Sequence, residues 1–94
     1  ATLTQNGSDN SATQNQDGNL NTQLSTQLGS TNVYEVVQTG LENNMTLSQI
    51  GVGLVAIATQ TGNLNLGTQT QTSANHYASL VQTGDNNSAT QTQN

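Results

Sequence analysis

Apolar residues in the middle of this chain come in pairs spaced two apart: Tyr34 and Val36, Met45 and Leu47, Ala56 and Ala58, Ala78 and Leu80. Each pair ends two residues before a glutamine, and the first two begin two residues after an asparagine. Alternation with period two is the signature of a β-strand with one buried face. On that face lie the Asn, the second and fourth residues after it, and the Gln. Thr and Ser dominate the opposite face. Between strands the spacing leaves four residues for a Gly-bearing turn, for example Asn6 to Asp9. The spacing predicts seven-residue strands such as Asn10 to Gln16.

The glutamines fix the period. Gln5, Gln16, Gln27, Gln38, Gln49, Gln60, Gln71, Gln82 and Gln93 recur every eleventh residue without a miss. Two places after them stand Gly7, Gly18, Gly29, Gly40, Gly51, Gly62 and Gly84, with Ser73 as the deviation. Five places after them stand Asn10, Asn21, Asn32, Asn43, Asn65 and Asn87, with Leu54 and His76 as exceptions. A fixed period means one small unit copied many times. Eleven residues also make three helical turns, but a Gly in nearly every unit costs too much helix propensity and no apolar stripe appears at 3.6 spacing.

The expected fold is therefore all-β: a two-sheet β-solenoid, or β-arch stack, of 11-residue half-repeats with 22 residues per coil. Residues 1–94 make one domain of nine strands, about four and a half coils. Rungs would stack at roughly 4.8 Å, with the sheets about 10 Å apart. A buried amide is costly alone, but stacked on copies above and below it can donate and accept along the axis, so the Gln and Asn columns are expected to be hydrogen-bonded ladders. Gly meets the turn's need for positive φ or close backbone packing.

Composition alters this picture in one respect. With 30 % hydrophobic and 2 % aromatic residues, an ordinary globular core could not offset chain entropy, and composition alone would suggest disorder. The strict period argues against that reading. The chain has no Lys or Arg and a net charge of −5, so nucleic acid and anionic membrane surfaces are poor partners. It has no Cys and so no disulfide framework. The longest apolar run, Ile50 to Ala58, is too short to span a bilayer and reads as a turn followed by a buried strand. No signal-like segment precedes Ala1; an exported form is expected to have shed its signal already.

No constellation for chemistry stands out. His76 occupies an Asn-column position without a partner carboxylate or second His, and Glu35 reads as a solvated outward charge. Asp9, Asp17, Glu42 and Asp85 fall in expected turns, and no turn concentrates ligands as a cation loop does. Tyr34 and Met45 read as core fillers. The serines lack a Gly-x-Ser-x-Gly elbow or a paired base. No enzyme, cofactor or metal is expected.

The spaced motif resembles the curlin repeat, Ser-x5-Gln-x-Gly-x-x-Asn-x-Ala-x3-Gln. Its second half appears as Gln5, Gly7, Asn10, Ala12, Gln16 and again as Gln82, Gly84, Asn87, Ala89, Gln93. Curlins are subunits of curli, the amyloid fibres of bacterial biofilms. The resemblance implies a secreted protein that leaves through an outer-membrane secretion channel. At the cell surface a minor curlin would nucleate it into extracellular matrix fibres of cross-β character.

The residues suggest polymerisation independently. Monomeric repeat proteins normally end in atypical polar caps, whereas the strands at Ala1 to Gln5 and Asn87 to Gln93 hold no charge and no Pro, leaving unblunted edges. Residues 1 to 16 align with 78 to 93 without a gap: Ala1 with Ala78, Leu3 with Leu80, Ala12 with Ala89, Gln14 with Gln91. A second copy laying its first strand on the eighth and its second on the ninth would stack like on like, a head-to-tail contact that does not close. A rival reading comes from outward threonine columns, Thr2, Leu24, Thr46, Thr68, Thr90 and Thr4, Thr26, Ser48, Thr70, Thr92, which could order water as an ice-binding solenoid does. The other outer face carries Val33, Val37, Val55, Ile57, Tyr77 and Val81, an apolar patch suited to lateral bundling or adhesion.

Overall fold

The computed structural model describes all of residues 1–94. Nine strands follow one another with no helix: β1 (Thr2–Asn6), β2 (Ser11–Asp17), β3 (Thr22–Ser30), β4 (Val33–Leu41), β5 (Asn44–Val52), β6 (Val55–Asn63), β7 (Leu66–Ala74), β8 (Tyr77–Thr83) and β9 (Ser88–Gln93). Odd strands form one sheet in the order β1-β3-β5-β7-β9, and even strands form the other, β2-β4-β6-β8. All pairings are parallel and each residue lies beside the one 22 places on, as Gln27 beside Gln49 and Tyr34 beside Ala56. This is the two-sheet solenoid that the eleven-residue spacing predicts, within an envelope of 34 × 21 × 12 Å.

The inward columns are those read from the alternation. Tyr34, Val36, Met45, Leu47, Ala56 and Ala58 form the apolar cluster, with Ala12 and Leu80 packed at its margins. Leu54 and Ala78 are also buried, yet polar side chains outnumber apolar ones among the buried residues. Burying Leu47 or Met45 contributes roughly 1.5–3 kcal/mol each. The cluster is centred on β4, β5 and β6, so the outer rungs rely on hydrogen-bonded ladders instead. At the N-terminal end, where no rung lies beneath, β1 is exposed along its whole length, including the inward Leu3.

The turns are tighter than the spacing predicts. Strands β3 to β7 run nine residues and carry their pairing through Gly29, Gly40, Gly51, Gly62 and Ser73, leaving two-residue connections such as Thr31-Asn32. Only β1 to β2, β2 to β3 and β8 to β9 keep the four-residue turn. Asp17, expected in a turn, is the last residue of β2 and pairs with Thr39. Likewise Ile50 to Val52 complete β5, and the turn in that apolar run is Gly53-Leu54.

A second positive-φ position, just before the Asn column, has no uniform residue type to mark it. Leu20, Thr31, Glu42 and Leu64 adopt φ near +55 to +59° there, as Asp9, Asn75 and Asn86 do, although a left-handed non-Gly residue costs roughly 1–2 kcal/mol. The turn backbone offsets that cost by stacking. Thr31 N–H donates to Ser8 O at 3.0 Å, Glu42 N–H to Asn19 O at 3.0 Å and Leu64 N–H to Leu41 O at 2.9 Å. The corners are thus hydrogen-bonded ladders in their own right.

Candidate functional site

The Gln columns are continuous amide ladders. Gln5 donates to Gln27, Gln27 to Gln49, Gln49 to Gln71 and Gln71 to Gln93 along the odd sheet; Gln16 donates to Gln38, Gln38 to Gln60 and Gln60 to Gln82 along the even one. The Nε2 to Oε1 distances run from 2.6 to 3.0 Å. From Gln27 onward the second amide proton crosses to the opposite sheet: Gln27 donates to Ser11 O, Gln49 to Val33 O, Gln71 to Val55 O and Gln93 to Tyr77 O, at 2.9–3.1 Å. A backbone carbonyl only accepts, so this bond fixes which side of each amide is nitrogen. Every ladder bond consequently points the same way, from N-terminal rung to C-terminal rung.

The Asn columns work differently from the expected amide ladder. Asn65 Nδ2 donates to Thr61 O at 3.3 Å and to Gly84 O at 2.8 Å, while its Oδ1 accepts from Asn87 N–H at 3.0 Å. Asn10, Asn21, Asn32 and Asn43 repeat the pattern of donating to the carbonyls four and nineteen places on either side. Each side chain clamps two turns together through their backbones, because the shorter Asn side chain sits where the chain turns and the carbonyls face inward. Where Leu54 replaces the Asn, its N–H still donates to Asn32 Oδ1 at 3.0 Å, so the clamp below survives.

Further residues carry structure that the period does not mark. Gln69 donates to Gln91 at 3.1 Å and to Ile57 O at 3.3 Å, a short third ladder. Gly67 is buried in the core, where a Cβ would lie 2.6 Å from Met45 Sδ and 3.1 Å from Leu80 Cδ2. Gln23, Ser25 and the Tyr34 hydroxyl are buried without hydrogen-bond partners. Burial pushes the Tyr34 pKa up, and the nearby Ser25 and Gln14 side chains pull it partway back.

The chemistry-bearing residues are not brought together. His76 is half-buried at its turn and Glu35 is exposed on β4. The structure contains no pocket and no group of three or more His, Asp or Glu able to hold a metal ion.

Residues 1–94 begin and end on rungs whose outer strand edges pair with nothing in that span. At the N-terminal end lie Ala1, Leu3 and Gln5 with Ala12, Gln14 and Gln16; at the C-terminal end lie Ala78, Leu80 and Gln82 with Ala89, Gln91 and Gln93. No residue of the chain donates to the ladder oxygens of Gln5 and Gln16, which head their columns. Gln82 and Gln93 each spend one amide proton on a cross-sheet carbonyl at 2.9 Å and keep one free. One end therefore offers acceptors and the other offers donors, in matching columns. The outward columns are also in register: Thr46 beside Thr68 and Thr68 beside Thr90 on the odd sheet, Val33 beside Val55 and Val55 beside Tyr77 on the even sheet. Comparison with family models and with curated proteins gives no match.

Proposed function

We propose that this chain is the structural subunit of an extracellular, curli-like amyloid fibre of a biofilm matrix, polymerising head to tail through its terminal strands. The observation that carries this reading is the complementarity of the two ends. Free amide donors at Gln82 and Gln93 face the columns in which a second copy would present the acceptors of Gln5 and Gln16. With β1 of the next copy on β8 and its β2 on β9, Ala1 meets Ala78, Leu3 meets Leu80, Ala12 meets Ala89 and Gln14 meets Gln91. The stack then continues with its own spacing and never closes.

The partner in this reading is the chain itself, with no part for nucleic acid or membrane insertion. Secretion, a nucleating minor curlin and an outer-membrane channel rest on the resemblance of the spaced Gln, Gly and Asn to the curlin repeat. The ladders, clamps and turn glycines have a structural role here, with no catalysis.

Electron microscopy of the purified chain after incubation, combined with fibre diffraction, tests the reading. Unbranched fibres with a spacing near 4.8 Å along the axis are expected. A solution that stays monomeric for days at high concentration refutes it. Introducing a charge at Ala12 or Ala89 should stop growth, because the two would face each other in the dry junction.

The in-register threonine columns of the odd sheet favour one competing role, ice binding. Thermal hysteresis separates the two: activity in the monomer, with no fibre growth, would replace the polymer reading.

A further inference from the structure

The two positive-φ columns that lead into the corners end differently. Gly7, Gly29, Gly51 and Ser73 make one, and Gly18, Gly40, Gly62 and Gly84 make the other; all eight residues have positive φ. At each of the six glycines before the ends, a Cβ would point along the stack into the backbone carbonyl 22 places on, as Gly40 into Gly62 and Gly51 into Ser73. Ser73 and Gly84 have no such neighbour within residues 1–94. Ser73 carries a side chain at φ 83°, showing that this backbone accepts one where nothing stacks above it. The place a Cβ would take on Gly84 is equally open, 3.6 Å from its nearest neighbour, Asn87 Nδ2. Space within residues 1–94 therefore does not require glycine at Gly84; only its own backbone does, at φ +101°, where a side chain is strained.

Asn87 at the same turn has vacancies to match. Asn65, one rung below, donates to Gly84 O and accepts from Asn87 N–H. Asn87 donates only to Thr83 O, at 3.0 Å, which leaves one amide proton and its Oδ1 unused. In the register proposed above, Gly7 of an incoming copy lies over Gly84, its carbonyl in line with the free Asn87 proton, and Asn10 N–H lies in line with Asn87 Oδ1.

Resting on the head-to-tail reading, we infer that the Gly84 to Asn87 turn is the seat for the incoming copy's Gly7 to Asn10 turn. Beyond meeting its own backbone angle, Gly84 serves assembly, whereas the six glycines before it also pack against the chain itself.

The test compares Gly84→Ser, Gly40→Ser and Ser73→Gly with the unaltered chain, in dilute freshly prepared protein and in elongation from preformed fibre seeds. Gly84→Ser is expected to keep its fold, its denaturant midpoint lowered by the strain of a side chain at φ +101° but by far less than that of Gly40→Ser. Its elongation should fall by about tenfold or more, as loss of a backbone contact and its clamp implies. Gly40→Ser should lose its fold, and Ser73→Gly should elongate normally. Asn87→Ala provides a second variant, expected to slow elongation with little effect on monomer unfolding. If the unaltered chain forms fibres while Gly84→Ser and Asn87→Ala elongate at its rate, the seat is wrong and the polymer reading stands. If Gly84→Ser destabilises the monomer as much as Gly40→Ser does, the glycine serves the chain itself and the inference falls. If the unaltered chain forms no fibres, both readings fall together.

Discussion

Gln49 and Gln71 are joined amide to amide at 3.0 Å across one rung, and the same Gln49 nitrogen reaches the Val33 carbonyl of the opposite sheet at 3.0 Å. One side chain thus ties a rung to the next and one sheet to the other. Gln49→Ala strands partners on both sides and should cost on the order of 2–4 kcal/mol, since each buried polar group left unpaired costs about 1–3 kcal/mol. Gln5→Ala, at the exposed end of the same column, should cost about 1 kcal/mol or less. Urea midpoints of the dilute chain check the contrast; equal losses at both positions would remove the ladders from the account of stability.

Gly67 should be intolerant for a reason unconnected with turns. A Cβ there meets Met45 Sδ at 2.6 Å and Gln60 Nε2 at 3.0 Å, so Gly67→Ala is expected to cost about 1–3 kcal/mol by overpacking. In a Met45→Ala background the added cost should shrink to about 1 kcal/mol or less, a coupling that a double-mutant cycle measures.

Tyr34 predicts alkaline sensitivity. Burial raises its pKa, so the folded chain holds the phenolic proton more tightly than the unfolded chain does. Its contribution is intact below the unfolded phenol pKa of about 10 and is lost as pH rises through the higher folded value. Tyr34→Phe should remove that alkaline loss. Because no hydrogen bond of ordinary geometry holds the hydroxyl, and the nearby Ser25 and Gln14 side chains offset its raised pKa only in part, the substitution should change stability by no more than about 1 kcal/mol at pH 7. Denaturant midpoints followed from pH 7 to 11 give both answers.

The even sheet's outer face tests lateral association. Val33, Tyr77 and Val81 are exposed there, Val81 by 67 %, around half-buried Val37, Val55 and Ile57. If fibres form, Val55→Ser with Ile57→Ser should leave single filaments intact and loosen their bundles in electron micrographs. Bundling that persists unchanged would assign lateral contact to another face.

The fold was legible because side chains on a stacked rung repeat with the rung. The spacing of Gln5 through Gln93 gave the coil length, and the alternation at Tyr34 and Val36 gave the buried face. The Asn clamp was not legible, because Asn65 bonds to backbone groups whose positions emerge only once the turn is built. The left-handed corners at Leu20, Thr31, Glu42 and Leu64 were hidden for a related reason. Backbone stacking holds those corners, which frees the residue type that a sequence reading needs. Gly67 and the Gln69 to Gln91 pair sit at inward positions whose residue type varies from coil to coil, so the recurring Gln, Gly and Asn do not mark them. The uncharged, Pro-free terminal strands suggested unblunted edges and the match of residues 1–16 with 78–93 suggested a register for a second copy, whereas the donor and acceptor character of the end glutamines required the cross-sheet bonds.

Because every glutamine amide in both columns is oriented alike, their dipoles add along the axis as peptide dipoles do in a helix. The molecule should carry a permanent electric moment with its positive pole at the β8 and β9 end. Each copy added in the same sense would lengthen that moment, so filaments in low salt should align in an electric field and distinguish its two electrodes.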